Sequence, residues 1–213
     1  MSEARKERTF KKPRSDSHHH KRNHGKGVSL PAGAAIAGAA ALTVLSLAAV
    51  PASAAGPPDN LIFRSKNLQY GQCMDLANGD TADGTPIGKY DCVPGTNRRW
   101  YFETVGVKCR QGTECRVTYR VHTAVAPNKC VDIKNRHVET GETINERSCD
   151  ASADSQLWYL IDNTDGSTKF ASFLAFRKDP GAQYAIDAGP QYGLRIWPAN
   201  DSSNAQHWSF IPQ

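Results

Sequence analysis

One pattern is written three times in this chain, and that repetition is its strongest constraint. The blocks begin at Cys73 ("CMDLANGDTADGTPIGKYDCVPGTNRRWYF"), Cys130 ("CVDIKNRHVETGETINERSCDASADSQLWYL") and Ala185 ("AIDAGPQYGLRIWPANDSSNAQHWSF"). Anchored on the aspartate two places after each start, Asp75, Asp132 and Asp187, the period is 57 and then 55 residues. Each block closes on a tryptophan: Trp100, Trp158 and Trp208. A unit this short buries little apolar surface by itself, so three copies are expected to share one core. One large aromatic per copy fits that core, which is the role expected of the three tryptophans.

The cysteines follow the repeat. Cys73 and Cys92 lie 19 apart, as do Cys130 and Cys149, while repeat three has Ala185 and Ala199 at the matching places, 14 apart. Both sulfurs are lost together, as a bonded pair requires, because a lone survivor would be a reactive thiol. The expected bridges are therefore Cys73–Cys92 and Cys130–Cys149, each worth about 3 kcal/mol in the chain-entropy model. Cys109 and Cys115 remain, flanking a short turn, and would staple a local hairpin.

Between these landmarks the text is strand-like. "NLIF", "CRVTYRVHTAV", "LWYLI", "FLAF" and "WSFI" are short and rich in β-branched and aromatic residues, with turn signals such as "DGT", "VPGTN" and "TDGS" between them. No segment after the leader carries a helical period. Many short strands at regular spacing predict a closed all-β fold.

The front of the chain is different material. Residues 1–26 hold nine Lys/Arg and three Asp/Glu, residues 27–50 carry no charge, and Pro51-Ala52-Ser53-Ala54 offers a small-residue cleavage site. Residues 1–54 thus read as a secretory signal peptide, and the protein as secreted. An uncleaved anchor fits the same apolar run and would be its one link to a membrane. The full chain is +5, with 26 basic and 21 acidic residues, but residues 55–213 hold 17 basic and 18 acidic. The basic excess belongs to the leader and gives no footprint for nucleic acid. All six cysteines fall in residues 55–213, an even count that suits disulfides in an exported protein.

Cys-x-Asp, a Gly-Thr-type turn, an apolar strand, a second Cys and a closing Gln-x-Trp resemble the ricin B-type lectin family over nearly all of residues 55–213. The resemblance implies a β-trefoil of three pseudo-symmetric repeats, here about 59–105, 106–162 and 163–213. It also implies one shallow sugar pocket per repeat, built from a carboxylate, an aromatic ring and an amide. Repeat one then offers Asp75, Tyr90 and Asn97, although Arg98 stands where the Gln of Gln-x-Trp belongs. Repeat three offers Asp187, Trp197 and Gln206, with Ala205 at the amide position and Asn204 one place away. Repeat two is degenerate: Asp132 and Gln156 are kept, but Arg147 replaces the ring and Ser155 the amide. The implied ligands are galactose-type sugars or polysaccharides, with sites in repeats one and three and neither cofactor nor metal.

Two readings beside the lectin stay open at this level. The aspartates also suit a purely local role, since Asp readily bonds its own backbone in turns. A trefoil that has lost sugar binding would serve as a scaffold for a protein partner or a protease, through loops such as 109–115 or 178–183. Enzyme motifs are absent: His122, His137 and His207 are the histidines after the leader, none in a catalytic pattern, and the cysteines are committed to disulfides.

Overall fold

The computed structural model describes residues 57–111, 114–179 and 181–213. The leader and its cleavage site lie outside them. Twelve strands carry the fold. Repeat one contributes β1 (Phe63–Asn67), β2 (Cys73–Leu76), β3 (Ile87–Tyr90) and β4 (Trp100–Arg110). Repeat two contributes β5 (Glu114–Thr123), β6 (Lys129–Ile133), β7 (Ile144–Ser148) and β8 (Trp158–Asp162). Repeat three contributes β9 (Thr168–Ser172), β10 (Tyr184–Asp187), β11 (Arg195–Pro198) and β12 (Trp208–Pro212). The first and last strand of each repeat pair around a closed ring, β1–β4–β5–β8–β9–β12 and back to β1. Closure leaves this barrel no open edge. The middle strands form three hairpins, β2–β3, β6–β7 and β10–β11, that cap one end. This is the expected β-trefoil. The repeat edge expected near 105 falls inside β4, at a bulge between Thr104 and Gly106.

Core positions come in threes. Trp100, Trp158 and Trp208 are fully buried, as are the trios Met74, Val131, Ile186 and Ile87, Ile144, Leu194. Each indole N–H donates to the carbonyl just before the repeat's anchor aspartate: Met74 O at 3.1 Å, Val131 O at 3.1 Å and Ile186 O at 3.2 Å. A buried indole thus has its one donor satisfied, and the barrel strand is tied to the hairpin above it.

All three disulfides form as paired from the sequence: Cys73–Cys92, Cys109–Cys115 and Cys130–Cys149. Beside the second cysteine a glutamine does a similar task. The Gln156 amide donates to Ser148 O at 3.0 Å and accepts from Asp150 N at 2.8 Å, straddling Cys149. Gln206 repeats both bonds at the same lengths around Ala199, using Pro198 O and Asn200 N. Repeat three therefore keeps its loop closed without sulfur.

The reading of "FLAF" as strand is corrected. Phe173–Lys178 form the single α-helix among the described residues, α1. Its start is fixed by Ser172, whose hydroxyl accepts from Ala175 N at 3.2 Å, a side-chain cap that satisfies an otherwise orphaned donor. Four successive residues, Phe173 to Phe176, are all buried, a pattern that a fully buried strand such as β9 shows as well, so the cap rather than the burial marks the helix. Phe173 and Phe176 pack with Leu157 and Tyr159 in a second small core. The long β4–β5 arm leans on it, with the Arg110 and Arg116 guanidinium groups 5.0 and 4.7 Å from the Phe176 ring centre.

The hairpins lock to one another in a cycle. The β10–β11 loop bonds β3 (Lys89 N to Tyr192 O, 3.0 Å), the β2–β3 loop bonds β7 (Glu146 N to Thr85 O, 2.8 Å), and the β6–β7 loop bonds β11 (Ile196 N to Glu142 O, 2.8 Å). Lys89, Glu146 and Ile196 are equivalent, but their side chains fare differently. The Lys89 ammonium is capped by the carbonyls of Ala188, Gly189 and Gln191. Glu146 is 1% exposed, and neither carboxylate oxygen has a hydrogen-bond partner. Burial pushes this carboxyl up to about 7.

Two measurements follow from these features. A carboxyl raised from 4.5 to about 7 stabilises the fold fully below 4.5 and loses that contribution as pH climbs to 7. Glu146→Gln should flatten the thermal-stability profile across that window and stabilise the protein by about 2–3 kcal/mol at alkaline pH. An unchanged profile would remove Glu146 as the cause. In urea unfolding, Gln206→Ala should cost about 2–3 kcal/mol, because no disulfide holds the loop around Ala199 and both clamp bonds are lost. A loss below about 0.5 kcal/mol would count against the clamp.

Candidate functional site

Each anchor aspartate lies at the end of the first strand of a hairpin, last in β10 and last but one in β2 and β6, and the chain then turns through the left-handed region. The turn uses Asn78 and Gly79 (φ 55° and 66°) in repeat one, Asn135 and Arg136 (φ 59° and 53°) in repeat two and Gly189 (φ 52°) in repeat three; Asn and Gly tolerate positive φ, and Arg136 is the exception. The hairpin register sets what lies across from the aspartate: Gly88 for Asp75, Asn145 for Asp132 and Arg195 for Asp187. Two residues further on, the expected ring positions Tyr90, Arg147 and Trp197 pair with Cys73, Cys130 and Ala185.

Repeat three holds an open hollow. Asp187, Arg195, Trp197 and Gln206 line it, together with Tyr70 and Ser203. Trp197 is 36% exposed, and its six-membered ring stands beside Gly141 of the neighbouring repeat, where a Cβ would lie 3.7 Å from it. One oxygen of Asp187 accepts from Gly189 N at 2.8 Å and Arg195 Nε at 3.1 Å. The other accepts a long bond from the Gln206 amide at 3.5 Å. The Arg195 guanidinium lies 3.9 Å from the Trp197 ring centre, so carboxylate, guanidinium and indole form one stack. Asn204 and Ala205 sit in the short turn before β12, where Ala205 is buried.

Repeat one brings Asp75 and Asn97 into contact and spends them on each other, with Arg98 linking Asp75 to Tyr90. The Asn97 amide donates to Asp75 at 2.7 Å, and Arg98 Nε pairs with the same oxygen at 2.9 Å. The other oxygen takes the Tyr192 hydroxyl at 2.9 Å, delivered by the repeat-three loop. Tyr192 lies directly over Gly88, where an added Cβ would come within 2.4 Å of its ring. Arg98 also covers Tyr90, 4.9 Å from the ring centre, although Tyr90 is half exposed. Burial raises the Asp75 carboxyl against the opposing pull of Tyr192 and Arg98, and burial with the Asp75 charge pushes the Tyr192 phenol well up.

In repeat two Asp132 is fully buried. It accepts from the Gln156 amide at 3.0 Å, and Arg136 Nε approaches to 3.9 Å while its Nη1 pairs with Asp150 at 2.9 Å. Arg147 sits on β7 in the ring's place, and Ser155 is buried in the turn before Trp158.

Sequence reasoning missed Tyr192 and Arg195, and it marked Arg98 only as a departure from Gln-x-Trp. Arg195 was findable, since a residue two before the ring must face the aspartate across a hairpin. Tyr192 reaches its pocket from another repeat, and no local signal carries that. Among the described residues the compact ligand-type trio is His122, Cys130 and Cys149. Its two sulfurs bond each other, and the His122 ring contacts Pro127 O and Glu103, each at 2.9 Å.

No family model matches the chain. The probable lipoprotein EnvE of Salmonella typhimurium is 35% identical over 52 residues, which is 24% of this chain and 30% of that protein. The match thus spans less than a third of that relative's length. Similarity in structure is broader. The designed threefold-symmetric protein ThreeFoil superimposes with a TM-score of 0.56 at 19% identity, over 70% of this chain and 97% of its own. The β-trefoil lectin of the Vibrio vulnificus hemolysin/cytolysin, solved with N-acetyl-D-lactosamine bound, gives 0.53 at 18% identity over 72% and 95%. An exo-β-1,3-galactanase from Clostridium thermocellum gives 0.59 at 17% identity, over 73% of this chain but 31% of that larger one. At these identities the likeness establishes the fold, and the chain is a disulfide-bonded β-trefoil.

Proposed function

We propose that this chain is a secreted carbohydrate-binding protein, a lectin rather than an enzyme, with its working pocket in repeat three. The observation that carries the reading is Trp197, a large ring left partly exposed in a hollow beside Asp187. Arg195 and Gly141 hold the indole in place, and 36% of it still stays exposed. An aromatic plate next to a carboxylate and amides matches a sugar, which has apolar C–H faces and a hydroxyl edge. The neighbouring lectin with bound N-acetyl-D-lactosamine supports that class of ligand. Galactose-type saccharides are the family expectation.

Repeat one is the weaker of the two sites. Its carboxylate is already held by Asn97, Arg98 and Tyr192, so a sugar there must displace an internal partner. A single shallow pocket binds weakly, and gains on a multivalent surface depend on how far both sites can be filled.

A glycan array followed by titration tests this. Trp197→Ala should reduce binding of the best glycan by about tenfold or more with the melting temperature unchanged. Tyr90→Ala should have a smaller effect, about threefold or less, because the Asp75 carboxylate of that repeat is already held by Asn97, Arg98 and Tyr192. A blank array for folded protein would reject the lectin reading and leave the protein-binding scaffold, with the Cys109–Cys115 arm as its first candidate surface.

A further inference from the structure

The three anchor aspartates share a feature that a pocket for neutral sugars does not call for: each is paired with an arginine. The arginines come from three different places in the repeat. Arg98 lies before β4, Arg136 in the turn after β6, and Arg195 on β11. In repeats one and two the guanidinium is further engaged, by Val93 O and by Asp150. In repeat three it is not. Arg195 spends only Nε, on Asp187, and stacks on Trp197, while its side chain stays 29% exposed. Its two terminal amines have no acceptor among the described residues.

Recognition of a neutral hexose needs a carboxylate with free lone pairs, because it accepts from two hydroxyls. Asp187 has few left, with Gly189 N, Arg195 and Gln206 already on it. The hollow has instead become rich in donors. A planar guanidinium offers a two-pronged fork that fits a carboxylate or a sulfate. Lys89 lies behind it as a buried charge, its ammonium spent on the carbonyls of Ala188, Gly189 and Gln191. Glu142, at the position where Tyr192 enters repeat one, accepts from Thr143 N at 3.1 Å beside Arg195.

We infer that the repeat-three pocket selects acidic saccharides, the sugar ring resting at Trp197 and its carboxylate or sulfate on the free amines of Arg195. This rests on the carbohydrate-binding reading and narrows its ligand. Calorimetric titration of the purified protein with galacturonate oligomers, 6-sulfated galactose oligomers and neutral galactose oligomers of equal length tests it. At least one acidic series should bind about tenfold tighter than the neutral one and weaken between about 0.05 and 0.5 M salt. Which acidic series wins tells carboxylate from sulfate. Arg195→Gln should abolish the preference, Arg195→Lys should keep part of it through charge alone, and Arg116→Gln, on the far arm, should leave it intact. Equal, Trp197-dependent binding of neutral and acidic oligomers would overturn the acidic preference and keep the lectin. Tighter neutral binding by Arg195→Gln would show the arginine to be a plug, with the same consequence. Acidic binding equally lost in Arg116→Gln would mean diffuse charge attraction and overturn the site. No binding of any series would sink both readings.

Discussion

Three hydrogen bonds hold the rest of this molecule in place, one from each core tryptophan to the carbonyl before an anchor aspartate. The indole is large enough to fill the barrel, and its single N–H reaches one acceptor in the hairpin layer. Barrel and cap are thereby set in a fixed relation at three equivalent points. The aspartate follows that carbonyl by one residue, so its place at the pocket floor is inherited from the core. This is why the pocket positions persist in repeats whose pockets have changed.

Much of the fold was legible because it rests on local or strictly repeated signals. The period marked the copies, joint loss at Ala185 and Ala199 paired the sulfurs, and short β-branched runs marked the barrel strands. The segment Phe173–Phe176 misled because an unbroken apolar run suits a buried strand and a buried helix equally. The serine before it, a cap, was the deciding cue. The sites were less legible. Asp187, Trp197 and Gln206 lie around one hollow, whereas Tyr90 reaches Asp75 only through Arg98 and Asn97 turns its amide inward onto Asp75. That choice depends on Arg98 and Tyr192, and Tyr192 stands 117 residues away from its partner.

Repeat three also shows what a disulfide is replaceable by. The Gln206 amide bridges the residues on either side of Ala199 with the same two bonds that Gln156 makes around Cys149. With the clamp present, the covalent link is an addition to a loop already closed by polar contacts. Repeat one is the converse case. It has arginine in place of glutamine and keeps its sulfur.

The cyclic exchange of loops has a consequence for how such a protein changes over time. Every hairpin loop lies against the hairpin of the next repeat, so a pocket's walls are encoded partly in its neighbour. The short loop of repeat three is what carries Tyr192 onto Asp75. An insertion or deletion in one loop is therefore felt one pocket further round the ring. Although the three units look like independent modules, their specificities are inherited as a linked set, and a repeat transplanted alone would leave part of its own binding site behind.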